Sequence, residues 1–325
     1  MAEENPAMFA PGQVVTLEVK EGHYSEFKID RLVTPITKSV VLLAHCALWG
    51  PVVLKVYDPR FINERNGIKS SRPGKGQSPH PWSLAAERAA PTAYNPFAIY
   101  GPEPAADDFE GQFERAALWE AHLRHLMQDS FRAELHAYQN LRHLQGGALA
   151  RLLGAGLVVP PDVRAFRPPA LVFEYVEGPT LRDAPLEALT MDVCLDLART
   201  VDSFAAHGVF HDDLNPNNIL IGPGGRAVVL DFGVAGVRTK DDPWTDEEWA
   251  FNVEVRQDGR RLRTLLKNKG VCCVGELEPR ARSFDAKRGV WTDSCLARAE
   301  GAQSGPLVEE NVVLKPVELD ELYIE

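Results

Sequence analysis

Residues 207–220 read HGVFHDDLNPNNIL, and residues 227–233 read AVVLDFG. The first stretch crowds His211, Asp212, Asp213, Asn215, Asn217 and Asn218 between two apolar runs. The second is a β-branched run that ends in Asp231-Phe232-Gly233. Phosphoryl transfer from a Mg²⁺-bound donor requires oxygen ligands for a hard cation, a positive charge on the phosphates and a carboxylate beside the attacking hydroxyl. The spacing His211-x-Asp213-x-x-x-x-Asn218 puts a carboxylate and an amide five residues apart on one loop, and Asp231 opens another loop one short strand later. NILI and AVVL, joined by the turn GPGG, would hold the two loops side by side.

The bulk properties set the frame. At 325 residues, 45 % apolar and 25 % charged, the chain suits one large soluble domain or two lobes sharing a cleft. No apolar stretch nears the ~20 residues that span a bilayer. The start, MAEENPAMFAPGQ, lacks the basic-then-apolar order of a secretory signal. A cytoplasmic location is therefore expected, with a nuclear one open. A net charge of −11 argues against nucleic acid and anionic membrane as partners. The five scattered cysteines contain no C-x-x-C pair and suggest neither a disulfide framework nor a zinc site.

Along the chain, residues 13–57 read as closely spaced antiparallel strands, VVTLEV, FKIDRLV, SVVLLAHC and PVVLKVY. From about 63 to 112 the composition turns to Gly, Pro, Ser and charge without period, which predicts a long insertion, largely loop or disordered. Helix in two or more segments is expected over 113–144, with Phe131, Leu135, Tyr138 and Leu141 on one face and Gly146-Gly147 as a stop. Two strand-like runs, GLVVP and ALVFEYVEG, follow. A helix is then expected over 191–207, and helical stretches near 245–258 and 259–268. The tail from about 275 is acidic at its end and weakly periodic.

The polar stretch resembles the catalytic loop of the protein-kinase superfamily. His211 to Asn218 is similar to H-R-D-L-x-x-x-N, and Asp231-Phe232-Gly233 matches D-F-G. The resemblance implies an α+β, two-lobed protein-kinase-like fold with a β-rich N-lobe and a mostly helical C-lobe. In this division residues 1–24 are an N-terminal extension, 25–175 the N-lobe with the insertion, 176–274 the C-lobe and 275–325 a tail. It implies Asp213 as the carboxylate that accepts the acceptor's hydroxyl proton, Asn218 and Asp231 as Mg²⁺ ligands, and His211 as a brace.

Upstream, Lys55 in VVLKVYD resembles the strand lysine that steadies the ATP phosphates, although an edge-strand lysine facing solvent would read the same way. Glu134 is preferred as its helix partner over Glu120, because the Glu134 helix leads directly to the glycine stop and the next strand. Residues 171–178, LVFEYVEG, resemble the strand and hinge that hold adenine. Backbone groups near Glu174 and Val176 would contact the base, and Phe173 would line the pocket.

The sequence departs from the family's pattern in four places. No G-x-G-x-x-G precedes Lys55, where the turn reads VTPITKS. Asp212 replaces the arginine that grips a phosphorylated activation loop. Asn215 replaces the lysine of serine/threonine kinases and makes the loop similar to those of choline- and aminoglycoside-kinase relatives. No A-P-E follows D-F-G, so a short activation segment is expected. ATP and Mg²⁺ are the implied cofactors. The implied acceptor is a protein Ser/Thr hydroxyl, with a small-molecule hydroxyl or a nucleotide-binding pseudokinase scaffold as alternatives. The histidines at 122, 125, 136 and 143 read as surface residues, and Trp244 and Trp249 as packing for the late helices.

Overall fold

A computed structural model of the chain describes residues 9–62, 65, 81–160, 163–239 and 244–271, and the backbone of 283–285 and 290–292. The architecture is α+β, rich in sheet toward the N-terminus and in helix after it. The described chain forms two compact units, one holding residues up to Arg132 with Arg151–Tyr175, the other Ala133–Ala150 and the residues from Val176 on.

The first unit is built on a closed antiparallel barrel. Its strands are β1 (Val14–Lys20), β2 (His23–Val33), β3 (Val40–Cys46), β4 (Gly50–Val56), β5 (Leu152–Val159) and β6 (Pro169–Glu174), ordered β1-β2-β3-β4-β6-β5. Closure leaves no unpaired edge in this sheet. Alternation decides the core. Val40, Leu42, Ala44 and Cys46 of β3 point inward, as do Val52, Leu54 and Val56 of β4, to meet Leu17, Phe27, Ile29 and Val172. Burying each large side chain of this kind contributes about 1.5–3 kcal/mol. β1 belongs to the barrel, pairing with both β2 and β5, although it lies within the residues that the sequence set apart as an extension.

Of the expected insertion, residues 63–64 and 66–80 lie outside the described residues, and 81–112 carry regular structure in part. A short helix, α1 (Leu84–Ala89), is capped by the Ser83 hydroxyl, which accepts from the Ala86 amide. It is tied to the barrel by a buried ionic network. Arg164, on the β5–β6 connection, contacts Asp58 at 3.1 Å and Glu87 at 2.8 Å, while Arg60 holds the other side of Asp58. Glu87 also accepts from the Ala165 amide and the Trp82 indole.

Helix α2 (Phe109–Asn140) is one continuous helix rather than two segments, and it starts four residues before the periodic pattern suggested. No proline interrupts it, and its one glycine, Gly111, sits in the first turn where the penalty is small. Phe131 of α2 packs edge-on to Tyr57, with ring centroids 5.6 Å apart.

In the second unit, α3 (Met191–Ser203) begins at Thr190, whose hydroxyl accepts from the Val193 amide. It ends through a 3₁₀ turn at left-handed Gly208. β7 (Val209–Phe210), β8 (Ile219–Ile221), β9 (Ala227–Val229) and β10 (Gly236–Val237) follow as two small antiparallel pairs, β8 with β9 and β10 with β7. Gly236 is required where it stands, because a Cβ there would run into the Phe210 ring. Helix α4 (Asp246–Arg256) opens with a capping box between Thr245 and Glu248, and α5 (Asp258–Lys269) follows directly. Trp249 of α4 and Trp244 just before it pack on each other and on Phe210 of β7. A last backbone hairpin joins β11 (Ser283–Asp285) to β12 (Val290–Thr292), and the rest of the tail lies outside the described residues.

Candidate functional site

The polar stretch folds as a loop between β7 and β8, and the D-F-G stretch follows β9. The β8–β9 ladder, Ile219 opposite Val229, brings the ends of these loops together, and the Leu230 amide donates to the Asn218 carbonyl at 2.8 Å. Asp213 and Asn218 therefore share a loop with Asp231 alongside, all within the second unit.

Inside the loop the hydrogen bonds are local and specific. The Asn218 amide nitrogen donates to the Asp213 carbonyl at 3.0 Å and to its carboxylate Oδ2 at 3.3 Å. Asn215 donates to the same carbonyl at 3.1 Å, and its own Oδ1 accepts from the Asn217 amide. Asn215 and Asn217 thus shape the turn, as short polar side chains do. His211 is fully buried and joins the two loops. Its Nε2 lies 2.8 Å from the Leu230 carbonyl, and its Nδ1 accepts from the Asp213 amide at 3.3 Å.

Phe232 is buried beneath the site with Tyr138 and Phe204 at 5.6 Å and His211 at 4.6 Å, measured between ring centroids. Asp231 takes a left-handed φ of +63°, a conformation that non-glycine residues adopt sparingly and that clusters at functional sites. Its Oδ1 accepts from the Gly233 amide.

The donor set suits a hard divalent cation. With the Asn218 nitrogen turned to Asp213, its Oδ1 is the atom left to ligate, and the Asp231 carboxylate supplies charged oxygen nearby. Among the described residues, no group of three or more His, Cys, Asp or Glu side chains is arranged to hold a metal. The α2 histidines serve packing. His122 bonds to the Tyr94 hydroxyl at 2.8 Å, and His125 stacks on the same ring and pairs with Asp129. They are half-buried rather than on the open surface the sequence suggested.

Asp258 is a contributor that sequence reasoning missed. Its buried carboxylate accepts from the His211 amide at 2.6 Å and the Asp212 amide at 3.3 Å. Burial pushes its carboxyl above the ordinary value, against the opposing pull of the His211 contact. An aspartate in a helix's first turn is commonplace. Nothing local marks Asp258, since its partners lie more than forty residues away.

In the first unit, Lys55 is 6 % exposed on β4, which is flanked by β3 and β6, so the edge-strand, solvent-facing alternative is excluded. It sits on the outer face of the barrel, opposite Leu171 and with Nζ 5.6 Å from the Tyr57 ring centre. Glu120, the competing helix glutamate, is engaged elsewhere in a buried bidentate pair with Arg65 at 2.7 and 2.9 Å. Glu134 is 1 % exposed in the second unit, where its Oε1 accepts from the Phe232 amide at 3.4 Å. Phe173 is buried and Glu174 half-buried at the end of β6, the Glu174 amide donating to the Arg151 carbonyl. Val176 is half-buried on the extended connection beyond, just before Gly178, whose φ of +144° and close approach to the Ile221 carbonyl exclude any side chain.

Parts of the chain are similar to known proteins. Residues 158–252 match the ABC1 atypical kinase-like domain. The chain is 34 % identical over 97 residues to a probable serine/threonine-protein kinase PknB of Lactococcus lactis, covering 27 % of this chain and 15 % of that kinase. It is 33 % identical over 120 residues to the corresponding kinase of Bifidobacterium longum, covering 34 % and 17 %. It is 29 % identical over 160 residues to 3-deoxy-D-manno-octulosonic acid kinase of Xylella fastidiosa, covering 45 % and 59 %. The similarity thus spans under a fifth of the two bacterial serine/threonine kinases and somewhat over half of the sugar-acid kinase. The domain match and these kinases support an atypical member of the protein-kinase-like superfamily. Among the described residues, no helix is long and apolar enough to cross a membrane.

Proposed function

We propose that this chain is an ATP-dependent phosphotransferase of two-lobed kinase-like fold that transfers the γ-phosphoryl group to a hydroxyl. The observation that carries the reading is the His211 bridge, which ties the amide of Asp213 to the residue preceding Asp231 while Asn218 is held on Asp213. These bonds link Asp213 and Asn218 to the backbone just before Asp231, which supports assigning the three residues to one site. In the proposed reaction, Asp213 orients the acceptor hydroxyl and takes its proton. A bond forms from that oxygen to the γ-phosphorus as the bond to the β-phosphate oxygen breaks. Lys55 steadies the α- and β-phosphates, with Glu134 as its orienting carboxylate, and the backbone near Glu174 and Val176 receives adenine beside Phe173. Asn218 and Asp231 would hold Mg²⁺, which would supply neutralisation of the developing phosphate charge.

The acceptor we favour is a protein Ser/Thr hydroxyl, supported by the similarity to serine/threonine kinases and by the D-F-G and hinge-like segments. A second reading, a small-molecule hydroxyl, draws on the similarity that covers 59 % of a sugar-acid kinase and on the Asn215 loop. The short return from Gly233 to α4 also favours it, with Gly236–Val237 already paired to β7.

ATP consumption on peptide and small-alcohol panels, with Asp213→Ala as control, tests the reading. Turnover that survives Asp213→Ala removes Asp213 as the base. A Mg·ATP thermal shift without turnover on any acceptor would favour the scaffold alternative. A shift undiminished by Asp231→Ala removes Asp231 as a metal ligand.

A further inference from the structure

Every polar function of Asp212, the residue just before the proposed base, is held by the corner between α4 and α5. Its amide donates to Asp258 Oδ1 at 3.3 Å, its carbonyl accepts from the Arg261 guanidinium at 3.3 Å, and Nη1 of Arg256 meets its two carboxylate oxygens at 2.9 and 3.0 Å. The next amide, that of Asp213, is fixed on His211. Asp212 itself has a φ of +60°, in the left-handed region that a non-glycine residue keeps only where its surroundings hold it. The Arg256 guanidinium is in turn set over the Phe210 ring at 5.7 Å, so the arginine is anchored on the strand that leads into the loop. Gln257, at φ +51°, makes the corner tight enough for Arg256, Asp258 and Arg261 to converge on a single residue.

The pair lies at the surface, the Arg256 side chain 41 % and the Asp212 side chain 27 % exposed, and a second carboxylate approaches it. Asp212 and Asp258 are two carboxylates meeting at one peptide, and the Asp212 charge works against ionisation of Asp258. A guanidinium on Asp212 offsets that repulsion at the point where the loop turns. We propose that Arg256 is a positioning residue: through Asp212 it holds the left-handed turn that aims the Asp213 carboxylate, so the catalytic loop is set by a carboxylate–guanidinium pair within the same chain and requires no phosphorylated side chain to order it. The inference rests on the reading of Asp213 as the base, and it supplies the regulation of that site. The carboxylate of the pair, Asp212, is on the loop and its guanidinium, Arg256, is in the last turn of α4.

The test uses the full chain with Arg256→Ala and Arg256→Lys, and has two readouts. The first is kcat and the KM for ATP. The second is deuterium exchange of the segment 209–217 against the α3 segment 191–203. Arg256→Ala should lower kcat about ten- to a hundredfold with the KM for ATP within about twofold of wild type. It should speed exchange in 209–217 and leave 191–203 unchanged. Because only one nitrogen of Arg256 touches Asp212, a lysine ammonium can make the same point contact, and Arg256→Lys should recover a large part of both effects. Unchanged exchange in Arg256→Ala overturns the proposal whether or not the chain turns over ATP. Faster exchange with kcat unchanged overturns it as well. A wild-type chain with neither turnover nor a Mg·ATP shift defeats the phosphotransferase reading, while the exchange readout still decides the clamp.

Discussion

His211 Nε2 lies 2.8 Å from the Leu230 carbonyl while its Nδ1 faces the Asp213 amide at 3.3 Å. An amide N–H only donates and a carbonyl only accepts, so the pair of contacts places the ring proton on Nε2. One buried imidazole therefore sets the spacing of the 211–218 loop and the loop that begins at Asp231. His211→Phe keeps the ring contact with Phe232 and removes both hydrogen bonds, leaving a half-buried donor and a half-buried acceptor unmatched. The expected loss is about 2–5 kcal/mol of stability, read as a lower urea midpoint with unchanged slope. Turnover of ATP should fall in the same variant. A urea midpoint equal to wild type would show that the bridge contributes nothing to the fold.

Asp258 gives a pH signature of definite sign. Burial raises its carboxyl above the ordinary aspartate value of 3.8, and the Asp212 charge adds to the rise. The folded chain thus binds this proton more readily than the unfolded chain. Its contribution is most favourable below the ordinary value and is lost as pH rises through the elevated folded value. Asp258→Asn has no such titration. The stability of wild type relative to Asp258→Asn should decline as pH is raised from about 3.5 toward neutrality, measured by urea midpoints at each pH. Asn can accept only one of the two amides, so the variant should also speed exchange at residues 211–213.

The ionic network that pins α1 to the barrel behaves in the opposite sense. Burial works to raise both Asp58 and Glu87, but Arg164, with Arg60 on Asp58 and the Ala165 amide and Trp82 indole on Glu87, holds both carboxyls below their ordinary values of 3.8 and 4.5. Their stabilisation is present above those values and is lost as pH falls through the lower folded ones. Acid should therefore release α1 early, seen as faster exchange over residues 84–89. Arg164→Ala should destabilise at neutral pH by about 3–5 kcal/mol, because buried Glu87 loses its counter-ion and buried Asp58 keeps only Arg60. The variant should also flatten the acid dependence. An unchanged acid limb in Arg164→Ala would refute the network as its source.

Much of this architecture was legible because local pattern and tertiary role coincide. HDDLNPNN and D-F-G resemble kinase-like loops and fold as loops flanking the β8–β9 pair, and the alternation of VVLLAHC and GPVVLKV marks barrel strands directly. α3 was legible from Val193, Leu197 and Val201 with Gly208 as its stop. What stayed hidden depends on distant partners. VVTLEV alternates clearly, yet only pairing with β5, well over a hundred residues on, makes it part of the barrel. Glu87 and Arg164 sit in stretches without period and become interpretable only when brought within 2.8 Å. Asp258 and Arg256 lie in VRQDGRRL, which reads as an ordinary charged helix junction until the loop they hold is in view.

The two glutamates of α2 separate by what each holds, and paired variants exploit the difference. Glu120 is spent on Arg65 in a buried bidentate pair, so Glu120→Gln leaves the buried guanidinium one of those two acceptor oxygens and none of the opposing charge of Glu120. Loss of one member of such a pair costs about 3–5 kcal/mol when the charge is fully uncompensated, and Gln, which keeps one acceptor oxygen, should fall below that range. The site residues would be untouched, so turnover per folded molecule should match wild type. Glu134 instead accepts from the Phe232 amide, at the backbone of the D-F-G loop. Glu134→Gln preserves an acceptor oxygen there and removes only the charge, so stability should change by under about 1.5 kcal/mol. As the proposed partner of the Lys55 ammonium, it should lower ATP turnover about 10²-fold. Activity measured at a temperature where both variants stay folded decides the matter. Equal turnover in Glu134→Gln and wild type would return the role of lysine partner to another carboxylate, and a turnover loss confined to Glu120→Gln would reverse the assignment.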